Sequence, residues 1–244
     1  MIFLSPNEVH VLSPNEVHVW CASLDQTPSR VLHHAQVLSP DERWRAERYY
    51  CERDRDRFIV GRGTLRAILG QYVNVAPDGL QFCYGPYGKP ALAEGCGGGI
   101  LQFNLSHSEG LALVAVTSQR AIGIDLEIIR PFDHLERMVN RLFSCHERAA
   151  LRSLPESLKP EGFFRCWTCK EAYVKACGRG LTGPLHQFDV SVILGQPAQL
   201  LSVQDNAQEA CRWAIMALRP AYGYAAALVV RGHDWSLKYK RWLV

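Results

Sequence analysis

The chain has no apolar run long enough to span a membrane, and its first residues lack a basic segment followed by an apolar stretch. A soluble, cytoplasmic protein is therefore the expectation, with no membrane partner. Charge of one sign is also scarce. Lys and Arg number 27 against 24 Asp and Glu, and the resulting +3 is too small to imply nucleic-acid binding by itself. A zinc site lacks its parts: Cys166-Trp-Thr-Cys169 is a CxxC with no second CxxC or His pair nearby. It falls in a strongly helical stretch and reads as core packing. The nine cysteines are odd in number and scattered, as expected of reduced, mostly buried thiols. What remains is an ordinary globular composition, 48% hydrophobic and 21% charged, over a length of 244 residues that suits one large domain or two small ones.

The N-terminus carries a tandem repeat, with LSPNEVHV at 4–11 and again at 12–19. A single duplication is too short for a solenoid. Alternation from Val17 to Cys21 lets the second copy lead into a first strand. Helices follow at 28–38 and 40–54, with Ser39 and Asp41 as N-cap candidates. The second is dense in acids and bases that balance, which reads as a solvated face with i,i+4 pairs. The segment from Phe58 to about Val73 has apolar residues at helical spacing and reads as a core helix. Short strands are expected at 80–84, 101–106 and 111–116, with Leu101, Phe103 and Leu105 inward and Gln102, Asn104 and Ser106 outward.

The pattern then repeats. A strand covers 121–128, helices fit 132–142, 144–153 and 159–177, and strands fit 187–194, 211–218 and 222–230. The expectation is an α+β fold made of two similar α/β halves, 1–118 and 119–244, each a small, mainly antiparallel sheet packed with helices.

Three stretches concentrate chemistry. In Ala121-Ile-Gly-Ile-Asp-Leu-Glu-Ile128, period two puts Ile122, Ile124, Leu126 and Ile128 on one face and Ala121, Gly123, Asp125 and Glu127 on the other. Two small residues followed by two carboxylates make an acidic shelf whose hard oxygens suit Mg²⁺. The same pattern equally describes a half-exposed strand with a wet acidic face. In the helix 163–177, Trp167, Glu171 and Lys175 share one stripe at i, i+4, i+8, which is also the favourable order for a simple Glu–Lys ion pair. Phe103-Asn-Leu-Ser-His-Ser108 places small polar residues and a His at a strand end, fit for a phosphate or for a plain turn.

FNLSHS at 103–108, GIDLE at 123–127 and WTCKEAYVKACGRGL at 167–181 resemble, in order and separation, the signature blocks of the 4′-phosphopantetheinyl transferases. Gly88-Lys-Pro90 and the segment from Ser39 to Arg66 resemble upstream blocks of the same family. The likeness runs from about residue 39 to 190. Length and duplication favour the larger single-chain type that activates surfactin-type synthetases.

The resemblance implies that coenzyme A binds in a cleft between the halves. Mg²⁺ sits on Asp125, Glu127 and Glu171, and phosphopantetheine moves to a serine of an apo acyl or peptidyl carrier protein, releasing 3′,5′-adenosine bisphosphate. It implies Glu171 as first choice of base and Glu127 as second, with Lys175 on a phosphate oxygen. Arg45, Arg57, Gly88, Lys89, Pro90, Asn104, Ser106 and His107 then bind coenzyme A. Lys89 and Pro90 would form the adenine-side wall, and Arg45 and Arg57 would lie near the 3′-phosphate. Glu42 departs from the pattern, standing where some members have a basic residue. A monomer is expected, since the second half supplies what a partner subunit would. The competing readings are another Mg²⁺-dependent hydrolase of a phosphodiester or nucleotide, and a non-catalytic carrier-binding scaffold.

Overall fold

The computed structural model describes residues 10–131, 133–178, 185–204 and 206–243. The chain divides into two compact units. The first takes the described residues up to Gly85, Pro90–Gln119, and the stretch from Ser236 onward; the second takes Pro86–Lys89 and Arg120–Trp235.

The first unit runs β1 (Glu16–Ser23), α1 (Pro28–Gln36), α2 (Pro40–Glu47), α3 (Glu52–Val73), β2 (Phe82–Tyr84), β3 (Pro90–Leu92), β4 (Leu101–Ser108) and β5 (Leu111–Ser118). The second runs β6 (Ile122–Ile128), α4 (Leu135–Leu142), α5 (Cys145–Arg152), α6 (Lys159–Cys177), β7 (Phe188–Val190), β8 (Leu200–Val203), α7 (Ala207–Ala210), β9 (Trp213–Leu218) and β10 (Tyr224–Arg231). A last strand, β11 (Ser236–Trp242), belongs to the first unit.

Local chemistry sets the helix ends. Pro28 and Pro40 open α1 and α2, where a missing N–H costs nothing. Ser39 and Glu42 form a capping box at α2, as do Ser144 and Glu147 at α5. Gly178 ends α6 in the left-handed region, at φ +66.

The two main sheets share a strand plan. Their orders are β11-β1-β5-β4 and β6-β10-β9. In each, the unit's first strand pairs antiparallel with a strand far along the chain, β1 with β5 and β6 with β10, and that partner pairs antiparallel with the strand just before it, β4 or β9. Each unit also has a small hairpin after its long helix, β2-β3 or β7-β8. Against the first sheet, Leu65, Ile68 and Leu69 of α3 pack with Trp20, Phe103, Val114 and Val116. Against the second, Phe163, Cys166, Cys169, Ala172 and Tyr173 of α6 pack with Ala225, Ala227 and Val229. Two small α+β sheets with helices are thus the observed architecture.

Several expected boundaries move. The helix expected over 40–54 is two helices. The Arg48 and Tyr49 N–H groups tighten back onto Arg45 and Ala46, and Cys51 is extended before α3 begins. The strand expected at 187–194 shrinks to Phe188–Val190. Strands β3, β8 and β11 were not foreseen. The last matters most for the division of the chain. Residues 236–242, expected in the second half, pair in parallel with β1, from Glu16↔Ser236 to Ala22↔Trp242. Little of β11 is covered, and the alternation of Leu237 and Tyr239 with Lys238 and Lys240 lasts only four residues before Arg241 breaks it. The second repeat copy does enter β1, as expected. The first copy lies outside the described residues up to position 9; its His10 is buried, with its ring against Trp20 and Tyr72.

Candidate functional site

The acidic shelf on β6 is not open. A Cβ built on Gly123 would meet Ala172 O at 2.0 Å and Ala176 N at 2.4 Å, so the backbone of α6 lies directly on the strand. Only glycine permits that approach. It explains the small residue in the GIDLE block: helix backbone covers the strand there. Close packing at Gly123 brings the Glu171–Lys175 turn of α6 over the carboxylates of β6.

Asp125 is buried, at 3% exposure, and its Oδ1 accepts a 2.6 Å bond from Lys175 Nζ. The same ammonium reaches Ile124 O at 3.3 Å. Glu127, two residues on and on the same side of the strand, is half-buried. Glu171 is buried, and its Oε1 has no hydrogen-bond partner. Burial first, then the charge on Asp125, pushes the Glu171 carboxyl up to about 7; Lys175 opposes and Glu127 adds to the shift. These residues therefore share one electrostatic neighbourhood. The donor set is all hard carboxylate oxygen, with one buried oxygen unsatisfied, which is the chemistry Mg²⁺ accepts. Among the described residues no three such side chains are already gathered as a metal cage. Lys175 instead serves as the counter-charge of Asp125.

Lys89 belongs to the same unit. Its Nζ donates to Ile122 O at 2.9 Å and Lys175 O at 2.8 Å. The ammonium thus ties the start of β6 to the last turn of α6, and burial pulls it down to about 8. The expectation gave Lys89 to an adenine-side wall, whereas its charged end is engaged by backbone carbonyls. Gly88 beside it is left-handed, at φ +77. Trp167 stacks on Phe163, with ring centroids 6.3 Å apart.

The rest of the expected set lies in the first unit. Pro90 opens β3. Asn104 and Ser106 are buried rather than outward, while Leu105 is only half-buried. Alternation along β4 puts His107, which is exposed, on the other face from Asn104 and Ser106. Arg45 is exposed, its guanidinium 5.4 Å above the Phe58 ring. Arg57 is held by two carboxylates, Asp25 and Glu109.

Glu42 has a structural explanation. It is 2% exposed, accepts from Arg62 Nε and Arg66 Nε at 2.6 Å each, and from Ser39 N at 3.0 Å. Burial raises its carboxyl, but the two arginines and the N–H outweigh that and hold it low. Both guanidiniums also lie over the Phe82 ring. The departure at position 42 is thus part of the first unit's interior.

One network was missed. Lys170, next to Glu171, is fully buried and donates to both oxygens of Glu147, at 2.6 and 2.8 Å, and to Phe188 O at 2.5 Å. Glu147 also accepts from Val190 N at 2.8 Å. The capping box signalled Glu147, but nothing in a Cys-Lys-Glu run says which charge turns inward. Cys166 and Cys169 are buried, free thiols pushed up by burial, Cys169 to about 12, in keeping with core packing.

Comparison with known proteins bears on both units. The model of the 4′-phosphopantetheinyl transferase superfamily matches residues 121–229, and that of the 4′-phosphopantetheinyl transferase N-terminal region matches 23–119. The chain is 43% identical over 236 residues to the 4′-phosphopantetheinyl transferase HetI of a Nostoc species, across 97% of this chain and 93% of that one. It is 29% identical over 188 residues to the 4′-phosphopantetheinyl transferase Sfp of Bacillus subtilis, across 77% and 80%.

Proposed function

The chain belongs to the 4′-phosphopantetheinyl transferase superfamily, and from that premise we propose that Asp125, Glu127 and Glu171 hold the Mg²⁺ ion used in its reaction. The protein is an enzyme that transfers the 4′-phosphopantetheine group from coenzyme A to a carrier protein. The serine oxygen bonds to the β-phosphorus, the bond to the bridging oxygen breaks, and 3′,5′-adenosine bisphosphate leaves with that oxygen.

The observation that carries the assignment is the contact of α6 on Gly123, which puts Glu171 and Lys175 over the β6 carboxylates. When bound, the cation neutralises pyrophosphate oxygens and stabilises the leaving group. Glu171 is the first candidate for the base that takes the serine proton, at Oε1, with Glu127 second. Lys175 transfers its ammonium from Asp125 to a phosphate oxygen as charge builds there. Lys89 keeps the α6 end seated against β6 during this exchange. For the nucleotide, Asn104, Ser106 and His107 are the phosphate-side contacts, Gly88 and Pro90 the adenine side, and Arg45 the exposed cation for the 3′-phosphate. The carrier is an acyl or peptidyl carrier domain, and the enzyme acts as a monomer.

Mass spectrometry of an apo carrier incubated with coenzyme A and Mg²⁺ tests this reading. A phosphopantetheine mass gain is expected. No gain on a panel of carriers, together with coenzyme A cleavage in their absence, would instead establish a hydrolase.

A further inference from the structure

Arg57 sits in the first third of α3 with its side chain only 10% exposed. It grips Asp25 as a fork, Nε to Oδ1 at 2.7 Å and Nη2 to Oδ2 at 3.2 Å, and donates from Nη1 to Glu109 Oε2 at 2.8 Å. Asp25 lies just beyond β1. Glu109 lies in the turn between β4 and β5, closed by the pair Ser108↔Leu111. That turn is strained, because Glu109 adopts φ +49, a region non-glycine residues avoid. It is also docked onto the chain just beyond β1. Gly110 O accepts from Leu24 N at 2.8 Å, and a Cβ on Gly110 would lie 2.5 Å from Asp25 Oδ2. Arg53 Nη2 lies 3.8 Å from Asp25 Oδ2 as well, so two guanidiniums meet two carboxylates and the cluster is balanced, with no surplus positive charge to seat a phosphate dianion.

We propose that Arg57 is a positioning residue: by bridging Asp25 and Glu109 it clamps the β4–β5 turn, and so sets Ser106 and His107 for coenzyme A, rather than binding the 3′-phosphate itself. The inference rests on the transferase reading for its substrate, and on the cluster alone for its structural content. The bridge holds Glu109 in its left-handed conformation. A change in the turn is transmitted along β4 to His107 and Ser106 within three residues.

Two substrates separate a clamp from a phosphate ligand: coenzyme A, and dephospho-coenzyme A, which lacks the 3′-phosphate. With Arg57→Met, kcat/KM falls for both by the same factor, on the order of tenfold, as expected of displaced contacts. Arg57→Lys keeps the charge but loses the fork, and behaves like Arg57→Met. Glu109→Gln lowers kcat/KM for both substrates in the same direction. A phosphate-binding Arg57 predicts the opposite sign there, because releasing it from Glu109 would favour coenzyme A over the dephospho form. Amide exchange over residues 104–112, measured without substrate, is faster in Arg57→Met and Glu109→Gln. That readout holds even for a chain with no transferase activity, so failure of the clamp and failure of the functional reading are distinguishable. If Arg57→Met does not fold, Glu109→Gln, altered at a side chain 40% exposed, carries the test. A loss confined to coenzyme A, or unchanged exchange in both variants, overturns the proposal.

Discussion

The long helices α3 and α6 occupy the same place in the strand plan of their units, yet they treat charge in opposite ways. The buried charges of α3 are closed off. Arg62 and Arg66 saturate Glu42, and Arg57 is gripped by Asp25 and Glu109. The carboxylates Glu42 and Asp25 are accordingly held below their ordinary range. On α6 the two habits stand side by side. Lys170 turns into a closed pair with Glu147, whereas its neighbour Glu171 keeps a buried oxygen without a hydrogen bond and a carboxyl pushed up to about 7. A closed cluster stabilises one arrangement. An unsatisfied one stores a charge imbalance that a cation and a phosphorylated substrate can relieve. Burial of charge is therefore not the mark of the site; incomplete compensation is.

The sharpest way to break this contrast is to remove one carboxylate of each kind. Asp125→Ala is expected to lower carrier modification on the order of 10³-fold, read by mass spectrometry, while thermal unfolding shifts little because Lys175 retains partial access to water. Full activity in that variant would refute the metal-shelf assignment. Glu42→Gln should do the reverse. It strands part of two guanidinium charges in the interior and costs about 3–5 kcal/mol in urea unfolding, with turnover per folded molecule nearly unchanged.

The α6 neighbours allow the same comparison at adjacent positions. Lys170→Met leaves Glu147 buried without its cation and is expected to cost about 3–5 kcal/mol. Glu171→Gln should cost little stability and nearly all transfer. Equal stability losses at 170 and 171 would erase the distinction. Gly123→Ala tests what brings α6 to the shelf. The added methyl collides with helix backbone, and backbone cannot yield as a side-chain tip does. A loss of about 1–3 kcal/mol is expected, together with a rise in the Mg²⁺ concentration needed for half-maximal transfer.

Much of this contrast was legible in the residues. Period two separated Asp125 and Glu127 from Ile122, Ile124 and Leu126, and helical spacing put Glu171 and Lys175 on one stripe, because both periods follow directly from backbone geometry. The bounds of α6 were read correctly from its apolar face and Gly178. What escaped depends on tertiary partners. Alternation alone sent Asn104 and Ser106 outward, yet they are buried, since a strand covered on both faces has no outside. The resemblance gave Arg57 to the 3′-phosphate, and its bridge to carboxylates 32 and 52 residues away could not be read from local spacing. The strand β11 was unreadable because its pairing with β1 is made by backbone groups, which any sequence supplies.

The smallest expected effect concerns pH, and it follows from the burial of two histidines in the first unit. Burial pulls His18 and His34 down to about 4 each; Lys240 adds to the shift at His18, and His33 and Arg30 add at His34. At His18 the tautomer is fixed. Trp20 Nε1 donates to Tyr72 Oη at 2.9 Å, so the phenol proton goes to His18 Nδ1 at 2.6 Å, and Nε2–H faces Glu16 at 3.2 Å. His34 has no such support, for its Nε2 is buried without a partner and its ring fills the space beside Gly63. Both groups are neutral when folded, and the unfolded chain takes up their protons first as pH falls below about 6.5. Stability is therefore full above pH 6.5 and declines toward pH 4, by about 1 kcal/mol per histidine at pH 5.5. Urea unfolding at pH 7.5 and 5.5 measures the difference, and His34→Leu should remove about half of it. A difference untouched by that substitution would place the proton uptake elsewhere and separate His34 from the acid sensitivity of the first unit.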